Sequence, residues 1–149
     1  MSLVKPKQVA PTLESQQDRD IKAIFDELQA TSGRLNKESI LRRHKDDLVF
    51  SDVLNFVLNP YITTGLSDKK ISKKVAVPPM SGFATMHSVL WYLADNNTGT
   101  DEVIANIQGF IRSRAADMAE FYKSIFTKSI KAGIGAATVN KVYGYEVIP

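Results

Sequence analysis

Apolar side chains recur at helical spacing along almost the whole chain, and no segment of useful length shows the alternation typical of a strand. The run from Thr100 is the clearest case, because Val103, Ile104, Ile107 and Phe110 fall on one stripe. A sheet would need segments of period two, so the pattern predicts an all-α fold. We expect a compact single domain, a bundle of about six or seven helices.

Capping residues and turn formers place the ends of these helices. The predicted helices span about 20–31, 36–45, 47–58, 83–94, 100–111, 117–126 and 136–142. Asn36, Asp47 and Asp117 are expected to begin three of them, and Asn59-Pro60 is expected to end the third. Residues 61–82 are rich in Gly, Pro, Ser and Lys and predict an irregular, partly helical connection, since so long a loop is uncommon in a compact domain.

The 149 residues, 44% of them hydrophobic and 23% charged, suffice for one domain with its own core. There is no cysteine, which excludes disulfides, thiolate metal sites and a cysteine nucleophile. No signal-peptide core or membrane-length apolar run is present, so we expect a cytoplasmic protein without a membrane partner. Residues 1–12 are interpreted as a disordered N-terminal segment or a tag remnant, which leaves 13–149 as the folded domain.

Positive charge is unevenly distributed. Residues 1–66 contain nine Lys or Arg and nine Asp or Glu, whereas residues 67–149 contain ten and seven, so the net charge of +3 arises in the second half. Two stretches, 69–94 and 121–145, each contain four lysines and no acid. If folding brings these stretches together, they form one basic face suited to nucleic acid.

The sharpest local feature is the segment KSIKAGIGAATVNKV near the end of the chain. Here a helix with Lys128 and Lys131 is predicted to stop at a turn containing Gly133 and Gly135, and a new helix with Lys141 follows. Such a turn can offer unpaired backbone N–H groups to an anion, and glycine lets a phosphate approach the backbone closely. An ordinary packing corner between two helices is the alternative interpretation.

A second set of lysines lies in the irregular connection. The residues are Lys69, Lys70, Lys73 and Lys74. Most such runs are solvated surface, but the absence of acidic neighbours favours phosphate contacts. Both lysine segments are therefore candidate DNA-binding sites.

No motif for catalysis or nucleotide binding is present, and a phosphate-binding loop of the GxxxxGK[ST] type is absent. His44 and His87 stand on different predicted helices without a carboxylate at ligand spacing, so we expect neither to bind a metal nor to act as a base. Trp91 and Tyr92 are predicted to lie in the core rather than to stack on bases.

Both ends of the chain resemble a known family. The run DEVIANIQGFIRSRAADMAEFYKSIFTKSIKAGIGAATVNKV is similar to the end of the N-terminal helical DNA-binding domain of phage-type ATP-dependent DNA ligases, where a helix with a basic residue leads into a Gly-containing turn and an Asn-Lys-Val-like helix. The run IFDELQATSGRLNKESILRRHKDD resembles that family's first helical hairpin. The likeness covers about residues 20–60 and 83–149, and residues 61–82 align only loosely.

The resemblance implies a domain that binds duplex DNA, especially nicked DNA, without sequence preference through backbone phosphates. Nothing in the sequence indicates an obligate dimer, so we expect a monomer. Positions 128, 131, 133, 135 and 141 match the family's turn, although Ile134-Gly135 stands where the family often has serine or alanine.

In that family the catalytic lysine lies in a KxDG motif, which this chain lacks; Lys45-Asp46-Asp47-Leu48 is the nearest sequence. We therefore expect no activity from this chain alone, a nucleotidyltransferase domain outside it, and ATP and Mg²⁺ bound only there. The alternative function is a helical protein-protein interaction module of phage or prophage origin.

Overall fold

The computed structural model describes residues 15–79 and 82–149, and within them it contains eight helices and no strand. The helices are α1 Gln16–Ala30, α2 Arg34–Arg43, α3 Leu48–Leu58, α4 Asp68–Ile71, α5 Met86–Asp95, α6 Asp101–Arg112, α7 Ala116–Phe126 and α8 Ala136–Tyr143. The all-α prediction is confirmed. Seven of these helices correspond to predicted ones, and α4 is a single turn inside the irregular connection. The proposed N-terminal segment, residues 1–12, lies outside the described residues.

Some helices begin or end at the residues predicted from the sequence, and others do not. Asp47 caps α3 by accepting hydrogen bonds from the Val49 and Phe50 amides, and Asn59 ends that helix as predicted. Thr100 caps α6 in the same way. Two predicted caps are wrong. Helix α2 already begins after Gly33, which places Asn36 inside it, and α7 begins after Ala115, which places Asp117 in its first turn.

One apolar cluster fills the centre of the domain and receives side chains from all eight helices. Aromatic rings form its middle: Phe110 packs edge-on against Tyr122 with ring centroids 4.8 Å apart, and Tyr122 stacks on Phe126. Such contacts add to the stabilisation from burial alone. The predicted stripe on α6 is confirmed, because Val103, Ile104, Ile107 and Phe110 are all buried.

A buried carboxylate joins three helices across this core. Asp18, in the first turn of α1, is fully buried, and its Oδ2 atom accepts hydrogen bonds from the Met86 amide at 3.0 Å and the Tyr122 hydroxyl at 2.7 Å. The positive end of the α1 dipole also favours a negative charge there. Burial and the Asp18 charge raise the pKa of Tyr122 far above its ordinary value, so this phenol stays a donor.

The connection between α3 and α5 is held against the rest of the domain. The Thr64 hydroxyl donates to the Phe126 carbonyl at 2.8 Å, and the Gln108 side chain donates to the Ile71 and Lys73 carbonyls at 2.7 and 2.6 Å. The segment around α4 is therefore fixed to α6. No described helix is both long and apolar enough to cross a membrane.

Replacement of Tyr143 by phenylalanine should change the free energy of unfolding differently at neutral and at alkaline pH. The Tyr143 hydroxyl is buried without a hydrogen-bond partner among the described residues, and burial, with smaller effects of Tyr145 and Asp47, raises its pKa to about 12. In the unfolded chain the Tyr143 phenol ionises near pH 10. The folded state requires the neutral phenol, so the free energy of unfolding is unaffected below pH 10 and falls by roughly 2–3 kcal/mol as the pH approaches 12.

We expect Tyr143→Phe to keep or raise the free energy of unfolding at pH 7 by up to about 1 kcal/mol and to flatten its fall above pH 10. Denaturant unfolding at a series of pH values measures both effects. Tyr145→Phe, at an exposed neighbouring ring, is the matched control. A parallel alkaline decline in wild type and Tyr143→Phe would contradict the assignment.

Candidate nucleic-acid interface

The glycine turn predicted near the end of the chain is present, but it is longer than expected. Helix α7 ends at Phe126, and Lys128 takes the left-handed backbone conformation with φ 59°, so the lysines at 128 and 131 lie in the connecting segment and not on a helix. Gly133, with φ 79°, makes the turn itself, and Gly135 is the N-cap of α8.

Lys128, predicted as a DNA-binding residue, has a structural role in the domain. Its Nζ atom donates to the Asn59 carbonyl at 2.5 Å and the Ile62 carbonyl at 2.6 Å, in a half-buried position. Burial lowers the pKa of Lys128. The side chain thus ties the end of α7 to the chain after α3, and a charge reversal here would disturb the fold.

Lys131 is exposed, as predicted, and makes no hydrogen bond or ion pair with another described side chain. Its backbone is fixed all the same, because the Gln29 side chain at the end of α1 donates to the Lys131 carbonyl at 2.7 Å. A free ammonium on a fixed backbone is a suitable partner for a phosphate.

Gly133 brings a lysine from another part of the chain to the turn. The Lys37 Nζ atom, on α2, donates to the Gly133 carbonyl at 2.9 Å. A Cβ atom at Gly133 would lie 2.9 Å from that nitrogen and 3.4 Å from the Leu28 carbonyl oxygen. Together with its positive φ, this close approach explains glycine at the position.

Gly135 leaves the beginning of α8 open. No side chain caps this helix, and a Cβ atom at Gly135 would meet nothing within 4 Å. The first amides of a helix have no partner within it, so those after Gly135 are available to an outside acceptor. The residues that follow, Ala136 and Ala137, are too small to cover them.

A buried glutamate gathers three more cations beside this turn. Glu38 on α2 is only 1% exposed, and its carboxylate lies 3.5 Å from Arg34 Nε, 3.4 Å from Arg42 Nη2 and 3.4 Å from Lys141 Nζ of α8. The three cationic side chains are 71%, 57% and 59% exposed. One carboxylate beneath the surface therefore holds three outward-facing cations near one another.

These contacts define a single surface, which we call the α2–α8 basic face. It consists of Arg34, Lys37, Arg42, Lys131 and Lys141 around the turn of Gly133 and Gly135. Three of its five cations pair with the Glu38 carboxylate, and Lys37 donates to the Gly133 carbonyl. Because that carboxylate is buried, the charge presented to solvent is positive.

The lysines at 69, 70, 73 and 74 are less available as a group. Lys70 donates to the Gly65 carbonyl at 3.1 Å, and Lys73 forms an ion pair with Asp101 at 3.0 Å. Lys69 and Lys74 are exposed and make no such contact with a described residue. Within the described ranges, no hydrogen bond or ion pair links this segment to the α2–α8 basic face, so the single face expected from the two lysine stretches is not built by direct contact.

Sequence reasoning missed the contribution of α2. Arg34, Glu38 and Arg42 follow one another at four-residue spacing, which places them on one side of a helix and is a local signal for a charge row. What the sequence does not reveal is the pairing of this row with Lys141, 103 residues further along the chain.

Two other predictions are corrected by the structure. His87 has a carboxylate partner after all, since its Nε2 atom lies 2.9 Å from Asp52 Oδ2 on α3. Trp91 is 67% exposed and not part of the core, whereas its neighbour Tyr92 is half-buried, with its hydroxyl accepting from Asn106. Arg114 lies just beyond α6, where its guanidinium donates to the Phe83 carbonyl and lies over the Phe110 ring.

Comparison with known protein families, curated proteins and solved structures finds no match for this chain.

Replacement of Glu38 by glutamine should destabilise the domain by leaving three cations without their buried counter-charge. Removing one partner of a fully buried ion pair costs about 3–5 kcal/mol, and the exposed cations here reduce that to roughly 1–3 kcal/mol. The loss should shrink at about 1 M salt, where the remaining repulsion is screened.

Denaturant unfolding of Glu38→Gln at low and high salt measures this effect. Glu27→Gln is the control, because Glu27 forms an exposed pair with Arg43 and should change stability by less than about 0.5 kcal/mol. Equal losses in the two variants would contradict the role of Glu38 as the centre of the basic face.

Proposed function

We propose that this chain binds duplex DNA without sequence preference, through the phosphate backbone, as the non-catalytic N-terminal domain of a phage-type ATP-dependent DNA ligase. The observation that carries the proposal is the α2–α8 basic face, in which exposed cations surround a glycine turn and an uncapped helix. Phosphates are bound by Lys and Arg side chains, backbone amides and helix N-termini, and all three are present on this face.

The resemblance to the ligase family supports the same face. The family's glycine turn corresponds to residues 128–141 of this chain, and its first helical hairpin corresponds to α1 and α2. These two regions are the ones that meet through Lys37, Gly133, Glu38 and Lys141. We infer that Lys131, Lys141, Arg34 and Arg42 neutralise phosphates, that the amides at the start of α8 donate to one, and that Lys128 holds the turn in place.

Sequence-independent binding to the DNA backbone does not require groups that recognise bases, and the groups on the α2–α8 basic face are suited to such binding. Its polar groups are flexible cations and backbone amides. Contacts of this kind fix a protein on a duplex without selecting a sequence. A single small module with a few phosphate contacts should bind weakly, on the order of micromolar at physiological salt.

Charge reversal of Lys131 should weaken DNA binding without unfolding the domain. Fluorescence anisotropy of a labelled, singly nicked duplex should show wild-type affinity falling with salt at a log-log slope of about −0.9 per phosphate contacted. We expect Lys131→Glu to lower the affinity roughly tenfold and to reduce the slope by about one phosphate.

Lys74→Glu makes the same change of charge at an exposed lysine of the other segment and should have a smaller effect. A greater loss in Lys74→Glu would move the site to residues 69–74. Failure of the wild type to bind nicked or intact duplex at low salt would refute the proposal.

A side chain that caps the start of α8 should preserve or raise stability and at the same time weaken DNA binding. Asp and Asn are good N-cap residues, so Gly135→Asp and Gly135→Asn should keep or raise stability by a few tenths of a kcal/mol. Their side chains would occupy the amides proposed to bind phosphate. We expect both variants to weaken nicked-duplex binding, the aspartate more strongly because it adds charge repulsion.

Gly135→Ala is the matched control, because its methyl group meets nothing within 4 Å and cannot cap the helix. It should bind DNA almost as the wild type does. If Gly135→Asn also bound like the wild type, the amides of α8 would have no part in phosphate binding and the lysines alone would account for it.

A further inference from the structure

A second surface, formed by α3 and α5, has the opposite character to the α2–α8 basic face. Between these helices lies a groove of about 200 Å³, which we call the α3–α5 groove and define by Asp52, Phe56, Ile62, His87, Leu90 and Trp91. Phe56 and Leu90 are buried and belong to the apolar core, whereas the indole of Trp91 stands 67% exposed. The groove therefore has apolar walls that open to solvent.

One exposed apolar side chain lines this groove, and two others are close in sequence to residues that line it. Among the six large ones in the described part of the chain, Trp91 lines it, Tyr61 precedes Ile62 and is 82% exposed, and Leu48 is 73% exposed. Leu48 and Asp52 are four residues apart on α3, so they share one side of that helix. Clustering of this kind is typical of a binding surface, since apolar residues exposed singly are normal.

One carboxylate, that of Asp52, lines the groove. Helices α3 and α5 contain no Lys or Arg, and their charged residues are Asp52, Asp95 and, when protonated, His87. The Asp52 side chain is 56% exposed and lies 2.9 Å from His87 Nε2. Lys128 contacts the backbone of the groove residue Ile62, and its ammonium already donates to two backbone carbonyls, those of Asn59 and Ile62. The Asp52 carboxylate would repel a polyanion at this groove, whereas a cation could form an ion pair with it.

We propose that the α3–α5 groove docks a protein segment in which an arginine or lysine lies beside an apolar side chain. The cationic group would pair with Asp52 and lie against the Trp91 ring, because tryptophan is the best aromatic partner for a cation and arginine binds a carboxylate in a bidentate manner. The apolar neighbour would fill the space beside Phe56 and Leu90. This activity is additional to DNA binding, because it uses different helices and a ligand of the opposite charge.

Trp91 is the only tryptophan of the chain, so its fluorescence reports on this groove alone. The probe is a displayed library of random linear peptides, selected on the folded protein and counter-selected on Trp91→Ala. We expect enriched peptides to share a Lys or Arg next to an aromatic or branched aliphatic residue and to change Trp91 emission on binding. Asp52→Asn should lower their affinity roughly tenfold.

Asp52→Lys is a second variant, at an exposed position, that should repel the same peptides even if Trp91→Ala folded poorly. Tyr145→Ala, which removes another exposed aromatic ring, is the control and should leave binding unchanged. Peptides that bind Trp91→Ala or Asp52→Lys as well as the wild type, enriched peptides that are acidic, or no enrichment would each overturn the proposal.

Nucleic acid is the competing occupant, and the same protein tests it. Nicked duplex should leave Trp91 emission unchanged, and Trp91→Ala should bind DNA like the wild type. A shift of Trp91 emission with DNA, together with weaker DNA binding by Trp91→Ala, would assign the groove to nucleic acid instead. Because DNA binding and peptide binding are read separately, failure of one proposal is distinguishable from failure of the other.

Discussion

The buried carboxylate of Asp18 fixes the position of α1 against α5 and α7, and α1 in turn positions the glycine turn. Asp18 accepts hydrogen bonds from the first amide of α5 and from Tyr122 of α7, residues that lie 68 and 104 positions further along the chain. A buried charge is costly unless it is paired, so this arrangement favours one relative placement of the three helices. With its N-terminal end fixed there, α1 places Gln29 against the Lys131 carbonyl, which sets the glycine turn.

A second buried carboxylate has a different consequence, because its partners are exposed. Glu38 is nearly inaccessible, yet the Arg and Lys side chains around it face solvent. The Oδ2 atom of Asp18 accepts from neutral donors inside the core, whereas the Glu38 carboxylate pairs with three cations of the basic face. The acid beneath that face therefore orders the cations without cancelling their charge. In the proposed complex with DNA, fewer side-chain conformations would be lost on binding as a result.

The helical spacing of apolar residues sufficed to predict the helices, since burial of one stripe decides each of them and local caps such as Asp47 set the ends. Prediction failed locally at Asn36 and Trp91, and it failed at Lys128 and α2 because contacts distant in sequence decide their roles. Asn36 was expected as a cap, but α2 begins earlier. Trp91 was assigned to the core because it lies in an apolar helix, although its side faces solvent. Lys128 carries the same charge as Lys131, and only the fold shows that carbonyls at positions 59 and 62 hold it. The cations of α2 were not predicted as part of the site because their pairing with Lys141 is also distant in sequence.

The two proposed surfaces are kept distinct by how charge is divided among the helices. Helices α2 and α8 and the segment before α8 contribute the cations of the basic face, while α3 and α5 contain no Lys or Arg. Electrostatic attraction would therefore favour a polyanion at the basic face and a basic protein segment at the groove. Salt should weaken DNA binding more than peptide binding, because the groove adds apolar contacts and cation-aromatic contacts to a single ion pair. In the proposed arrangement, a duplex on the basic face would leave the groove free for a basic protein segment.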